Sequence, residues 1–389
     1  MRVLLANDTS QTNNPGCKGT IAGLRHLIEA AGHRIVISLP FGYGQNLFSN
    51  CLSASLHRSE SGFIRRIKSI LPDWGTRAAW AWRPSGVDLE RWYESSRQLG
   101  ERFQGEWNDF DILVINGEGT LHHNQPSALA LLALAFRAKE EGKEVWLVNC
   151  TIQYMEERLM RFILPLCDFV AVREPATQRW LSELNLSAKL SADCAFLLDI
   201  QPVAQIRETK KCLYTPGVLT RCQGYGQITS QYTLKQINLL QKYGWNVTYL
   251  TVETDDNLVL DSVRRTGIPI LELGSTNHQN IGPILRDYEL VVSGRYHILI
   301  FASMAGIPVL AMQSNTWKIE GLLELLGCHK QPARNLAGLQ SWLEEGPFRT
   351  AHINLKELTQ KARSNSPAGS TYALNTVNRS TSQTVKVNF

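Results

Sequence analysis

Residues 293–312 read SGRYHILIFASMAGIPVLAM, following the apolar residues 290–292. A strand-length run closes at Ser293, Gly294 permits a tight turn, and a helical stretch spans 296–305. A second strand-length run follows at 307–312. Strand, turn, helix and strand in so short a span form a βαβ unit, which implies parallel pairing. The arrangement also sets Arg295 and His297 at a helix start. Free N–H groups and the helix dipole favour negative charge there. Arg295 can grip a carboxylate or phosphate through two hydrogen bonds. His297 can carry a proton near neutral pH. The plainer alternative is a salt bridge for Arg295 and a helix-capping role for His297.

The segment downstream, SNTWKIEGLLELLG at 314–327, predicts a helix over 316–326 with Asn315 as its N-cap. Lys318 then falls in the first turn, where the dipole disfavours a cation. A bound anion between them resolves that conflict; a solvated surface lysine is the other reading. Upstream, VAVREPATQRW at 170–180 places Arg173 at a strand's carboxyl end, just before a helix that opens on Pro175. Arg173 either faces an anion or pairs with Glu174 or another nearby acid.

The same alternation fills the rest of the chain. In the first half, strands are expected at 2–6, 34–39, 111–116, 144–149 and 169–172, with a strand-like run at 189–196. Helices are expected at 20–31, 89–103, 128–141, 156–166 and 175–184. Residues 41–108 are irregular and rich in Arg and Trp, with a short helical pattern at 63–70. Arg58, Arg65, Arg66, Lys68, Arg77 and Arg83 interleave there with Trp74, Trp80 and Trp82. That mixture suits either ordinary packing with a solvated face or a peripheral membrane contact. The polar run DIQPVAQIRETKK at 199–211 reads as a linker. Strands at 212–215, 246–252, 269–273 and 289–293 follow it, with helices at 229–243 and 256–265. The division is thus 1–205, 206–345 and a C-terminal segment 346–389, whose last part, 365–389, is Ser/Thr/Asn-rich and reads as a disordered tail. Two doubly wound Rossmann-like α/β domains joined in this way suggest a glycosyltransferase-B-like architecture. Ligands of such folds bind outside the carboxyl ends of the strands, here in the cleft between the halves.

Two loops of the first half add candidates. NGEGTLHH at 116–123 offers Gly117 and Gly119 for close backbone approach to a ligand. Glu118, His122 and His123 could serve as acid, base or hydroxyl-binding groups. TNNPGCKGT at 12–20 offers Asn14, Gly16 and Lys18 to the acceptor side, and its spacing is not that of a P-loop. Asp193, in SADCAFLL, either orients a base or caps a turn.

Composition narrows the class. The chain has 389 residues, 43% hydrophobic and 19% charged, with a formal net charge of +5. This length suits two domains. The mild positive balance helps with anionic substrates, and no nucleic-acid-binding motif accompanies it. No apolar stretch is long enough to span a bilayer. With the short N-terminal apolar run read as a strand, a cytoplasmic protein is expected, with peripheral attachment at the inner face of the membrane as a further option. Eight cysteines, none in a CxxC pair or at zinc spacing, read as buried thiols.

NGEGT, the VRE-P segment at 172–175, SADCAFLL, SGRYH with AGIPV and Lys318 together resemble the polysaccharide pyruvyl transferase family, in order across most of residues 1–330. The resemblance implies a glycosyltransferase-B-like fold. It also implies transfer of pyruvate from phosphoenolpyruvate to a sugar of a polysaccharide or lipid-linked glycan as a cyclic ketal. Arg173, Arg295, His297 and Lys318 then match the donor site. His297 is the candidate acid, with Glu118 or Asp193 as base. No metal or organic cofactor is expected, phosphoenolpyruvate being a co-substrate. The family's glycine turn commonly carries a third glycine where Glu118 stands here, and residues 41–108 match poorly. Two other functions fit the residues: a sugar-nucleotide-dependent glycosyltransferase, and a glycan-binding protein without catalysis.

Overall fold

A computed structural model describes residues 1–52, 86–202, 209–217, 229–252, 257–274, 276–350 and 353–367. The helical pattern at 63–70 and the Arg/Trp cluster up to Arg83 lie outside the described residues, as does the segment 368–389.

The first sheet contains β1 (Arg2–Asp8), β2 (Arg34–Pro40), β3 (Ile112–Asn116), β4 (Glu144–Cys150), β5 (Phe169–Val172) and β6 (Lys189–Leu190). All pairs are parallel, in the order β2-β1-β3-β4-β5-β6. The central strands are nearly continuous apolar runs because both faces are covered. Alternate residues serve opposite cores. Val3, Leu5, Ile112 and Val114 pack with Ile21, Leu24 and Ile28 of α1 (Pro15–Ala30). Leu4, Ala6, Leu113 and Ile115 pack on the other face with α2 (Leu89–Arg102) and α3 (Pro126–Glu140). The edge strand β2 instead alternates between exposed and half-buried residues. Two further helices, α4 (Glu157–Ile163) and α5 (Pro175–Glu183), complete this half.

The second sheet holds β7 (Lys211–Thr215), β8 (Asn246–Thr251), β9 (Ile270–Glu272), β10 (Leu290–Ser293) and β11 (Val309–Ala311), in the parallel order β11-β10-β7-β8-β9. Its helices are α6 (Ser230–Lys242), α7 (Asn257–Arg264), α8 (Ile281–Leu285), α9 (Tyr296–Met304), α10 (Lys318–Leu325), α11 (Leu336–Glu345) and α12 (Leu355–Arg363). Strand order reverses between β1 and β3 in one sheet and between β7 and β10 in the other. Crevices at such points hold ligands in doubly wound folds.

Four boundaries differ from the sequence expectation. The first helix begins at Pro15, not residue 20, because the Asn14 side chain accepts from the N–H groups of Gly16 (2.9 Å) and Cys17 (3.4 Å). The run 189–196 is a strand only at Lys189–Leu190; Asp193 then caps a 3₁₀ turn, Cys194–Leu197. Asn315 is not an N-cap: Trp317 occupies that position and Lys318 is the first helical residue. The loose tail does not start at 365. Asn365 and Ser366 are buried, and the Asn365 amide donates to Ala192 O (2.8 Å) while its oxygen accepts from Asn149 N (2.8 Å) and Ser191 Oγ (3.0 Å). A side chain that joins buried groups of three residues is worth ordering.

The described cysteines are thiols; Cys150 and Cys194 are buried, and burial pushes both well up from the ordinary range. Among the described residues no helix is long and apolar enough to cross a membrane. The helix α1 approaches the Cys194 turn closely at Gly23, where a Cβ would lie 2.2 Å from Cys194 O. Backbone cannot yield there as a side chain would, so Gly23→Ala is expected to cost about 1–3 kcal/mol, read as a lower urea midpoint.

Candidate active site

The turn after β10 is built by Ser293, whose buried Oγ accepts the Arg295 N–H at 2.8 Å. This fixes Arg295 at the N-cap of α9 and His297 in its first turn. Every residue of α9 is buried, so its start is held in place from all sides. From the first half, β1 delivers Thr9, the α1 start delivers Asn14 and Cys17, the loop after β3 delivers Glu118 and Gly119, and β5 delivers Arg173. These residues, with Arg295, His297 and Lys318, line one cavity of about 400 Å³. Seven residues singled out in the sequence therefore share a pocket: Asn14, Glu118, Gly119, Arg173, Arg295, His297 and Lys318. Gly119 has φ +57°, a conformation that glycine adopts without strain.

At the cavity floor lies a network of polar contacts. His297 Nε2 is 3.3 Å from Glu118 Oε1, 3.6 Å from Asp193 Oδ2 and 3.0 Å from Thr20 Oγ1. The Thr20 hydroxyl has one proton and gives it to Asp193 Oδ1 at 2.7 Å. With the Thr20 proton so placed, an Nε2–H finds acceptors in Thr20 Oγ1 and in the Glu118 and Asp193 oxygens. The ring is seated against bare backbone: a Cβ on Gly16 would fall 2.4 Å from His297 Cβ. A β-carbon at residue 16 would displace the imidazole.

Asp193 is fully buried beneath the cavity and does not line it. It caps its own turn, accepting from Ala195 N (2.8 Å), and pairs with Arg173 Nη1 at 2.6 Å. Both alternatives for Asp193 thus hold together: it caps, and it orients. Burial alone would raise its pKa, but the Arg173 charge and the His297 hydrogen bond hold it below the usual carboxylate range. Arg173, 1% exposed, also donates Nε–H to Thr151 Oγ1 (2.9 Å), and its guanidinium lies 4.4 Å from the Tyr296 ring centre. Its acid partner is Asp193, not Glu174.

Besides Asp193, five candidates lie off the cavity: Gly16, Lys18, Gly117, His122 and His123. Gly117 serves packing, since a Cβ there would meet Cys150 Sγ at 2.3 Å. His122 and His123 are buried and bridge each other through their Nδ1 atoms at 2.8 Å, with the His123 ring tilted against Tyr154, centroids 5.0 Å apart. Burial, with help from His123 and Lys318, pushes His122 down to about 3, so it stays neutral. His123 and Asn124 adopt left-handed backbone, which turns this loop inward.

Lys318 reaches the cavity because its helix is fastened to the other half. Gln153, 1% exposed, accepts the Trp317 N–H at 2.8 Å, and the Trp317 indole donates to Thr177 Oγ1 at 3.2 Å. Arg179 adds a two-pronged ion pair to Glu324 (2.7 and 2.9 Å). Beneath this contact the fully buried Glu174 accepts from Thr177 N at 3.0 Å and from its hydroxyl. Burial raises Glu174 from 4.5 to about 7. An acid with a raised folded pKa binds its proton more tightly when folded. Stability therefore falls as pH rises from 4.5 through about 7, by at most ~3 kcal/mol. Glu174→Gln is expected to flatten that slope and raise the melting temperature on its alkaline side, as measured by thermal unfolding across pH.

Sequence reading missed Thr20, Cys17, Thr9 and Phe41. Cys17, Glu118 and His297 bring a thiol, a carboxylate and an imidazole within 4.8 Å of one another, donors of the kind zinc takes. Arg173, Arg295 and Lys318 on the same walls oppose a cation and favour an anion.

A family model described as polysaccharide pyruvyl transferase matches residues 21–315, most of the chain. The chain belongs to this family. It is a pyruvyl transferase by that membership, as the sequence resemblance implied. No curated protein sequence matches it. Among solved structures it is similar to UDP-N-acetylglucosamine 2-epimerase from Rickettsia bellii, at 11% identity over 94% of this chain and 93% of that one, TM-score 0.51. A Listeria monocytogenes protein assigned as the same epimerase aligns at 12% over 93% and 90%, TM-score 0.52. MurG of Acinetobacter baumannii aligns at 11% over 94% of each chain, TM-score 0.46. The likeness to the two epimerase structures is one of fold: this pyruvyl transferase has the two-sheet glycosyltransferase-B-type architecture.

Proposed function

We propose that the chain takes its pyruvyl group from phosphoenolpyruvate and closes it as a cyclic ketal over two hydroxyls of a sugar in a polysaccharide or lipid-linked glycan. The meeting of Arg173, Arg295 and Lys318 with the Glu118–His297 pair in one cavity is the observation that supports this reading. A small donor with a carboxylate at one end and a phosphate at the other needs separate cationic grips. Arg295 holds one end in bidentate fashion and Lys318 the other, while Arg173 supplies a fixed charge beside them.

The chemistry then needs two hydroxyl protons removed, one proton delivered to carbon and one carried away by the phosphate. His297 protonates the methylene carbon, C2 becomes cation-like, and a sugar hydroxyl attacks it as Glu118 takes the hydroxyl proton. Phosphate leaves with the electrons of its C2–O bond. The second hydroxyl adds to C2, loses its proton and closes the ring. The products are the ketal and inorganic phosphate. Phosphoenolpyruvate is a cytoplasmic metabolite, which places the reaction on that side of the membrane.

The test is to incubate the protein with phosphoenolpyruvate and a glycan panel, following phosphate release and a new ketal methyl signal by proton NMR. Thermal stabilisation by phosphoenolpyruvate is expected alongside. Stabilisation by a UDP-sugar and not by phosphoenolpyruvate would sink the reading in favour of glycosyl transfer.

A further inference from the structure

We infer that Phe41 is the platform for a second sugar of the acceptor, the unit next to the one that receives the pyruvyl group; this rests on the pyruvyl-transfer reading above. Phe41 lines the same cavity as the cations, yet it is 53% exposed. Among the described residues only Met1 and Val36 are comparably exposed large apolar side chains, and neither lines the cavity. An apolar ring has nothing to offer a small, doubly charged donor. It does suit a sugar ring, which carries a C–H face alongside its hydroxyls.

The ring's position argues for a neighbouring unit, not the reacting one. Phe41 follows β2 directly, Thr9 follows β1, and Glu118 follows β3 closely; these strands lie side by side in that order. Two interstrand steps separate Phe41 from Glu118, about 10 Å, the span of two linked sugar rings. A sugar whose hydroxyl meets Glu118 and His297 would lie over Thr9, and the next ring would reach Phe41.

The platform is also held ready. Phe41 N–H donates to Asp8 O (3.2 Å) and Tyr43 N–H to Pro40 O (3.2 Å). The Asp8 carboxylate is gripped by Arg25 (2.6 Å), Ser38 (2.5 Å) and Ser10 N (2.9 Å). A fixed backbone and a side chain with two rotors lose little freedom on stacking.

The experiment compares methyl glycosides of glucose, galactose and mannose with the corresponding 1→4-linked disaccharides. Binding to the full chain is measured by calorimetry for the native protein, Phe41→Ala and Phe41→Trp. At least one disaccharide is expected to bind the native protein roughly tenfold tighter than its methyl glycoside, the scale of covering one ring face. Phe41→Ala should erase that difference and Phe41→Trp keep it, with the unfolding midpoint unchanged in both. Persistence of the difference in Phe41→Ala, or a panel in which no disaccharide is preferred, overturns the subsite. Phosphoenolpyruvate stabilisation is read on the same samples without sugar. Its absence in the native protein would count against the donor, while the disaccharide preference is judged separately.

Discussion

His297→Gln is expected to lower the turnover of phosphoenolpyruvate with acceptor by roughly 10²–10⁴-fold, with the folded state intact. The replaced ring is packed against Gly16 and stands between Glu118, Asp193 and Thr20, so glutamine keeps much of the volume and a hydrogen-bonding end. What it cannot do is deliver a proton to carbon. Phosphate release gives the rate, and thermal shift with phosphoenolpyruvate gives donor binding, which should hold because Arg173, Arg295 and Lys318 are untouched. Asp193→Asn separates chemistry from positioning. Asp193 reaches substrate only through His297 and Arg173, so its loss should displace the pH profile of kcat. A His297→Gln enzyme with native turnover would remove the imidazole from the mechanism, whatever its place in the cavity.

The largest stability effect is expected at Arg173. Arg173→Met leaves the wholly buried Asp193 carboxylate without its 2.6 Å partner. Breaking a buried ion pair from one side costs about 3–5 kcal/mol, visible as a drop in the urea midpoint. Asp193 is held at a low pKa in the native fold, so its stabilising share is present above its ordinary 3.8 and is lost as pH falls below it. Adding Asp193→Asn to Arg173→Met should recover much of the loss, because no charge is then stranded. The double variant should still fail to be stabilised by phosphoenolpyruvate. Donor stabilisation retained after loss of Arg173 would limit the grips to Arg295 and Lys318.

Much of this architecture was legible because parallel strands covered on both faces are written as continuous apolar runs, as at residues 112–116 and 144–150. Candidate residues at strand carboxyl ends, Arg173, Glu118 and Arg295, were legible for the same reason: once strands are placed, their ends are placed. Thr20 was not, because a threonine at the expected start of a helix reads as an ordinary end residue until that helix is set against the Cys194 turn. Gly117 and Gly119 look alike in sequence, yet one faces Cys150 Sγ and the other the cavity. His122 and His123 were misplaced because two left-handed residues turn their loop inward, a backbone choice that composition does not disclose. Asn365 sat in a polar stretch and read as tail, although its amide fits groups contributed by residues 149, 191 and 192.

The imidazole of His297 comes from one half of the chain, and the hydroxyl and carboxylates around its Nε2 come from the other. A nascent or severed polypeptide holding either half alone cannot assemble this set of groups. On the proposed mechanism, such a chain could not hydrolyse its donor idly during synthesis, since the site is completed only when the last-made part docks on the first.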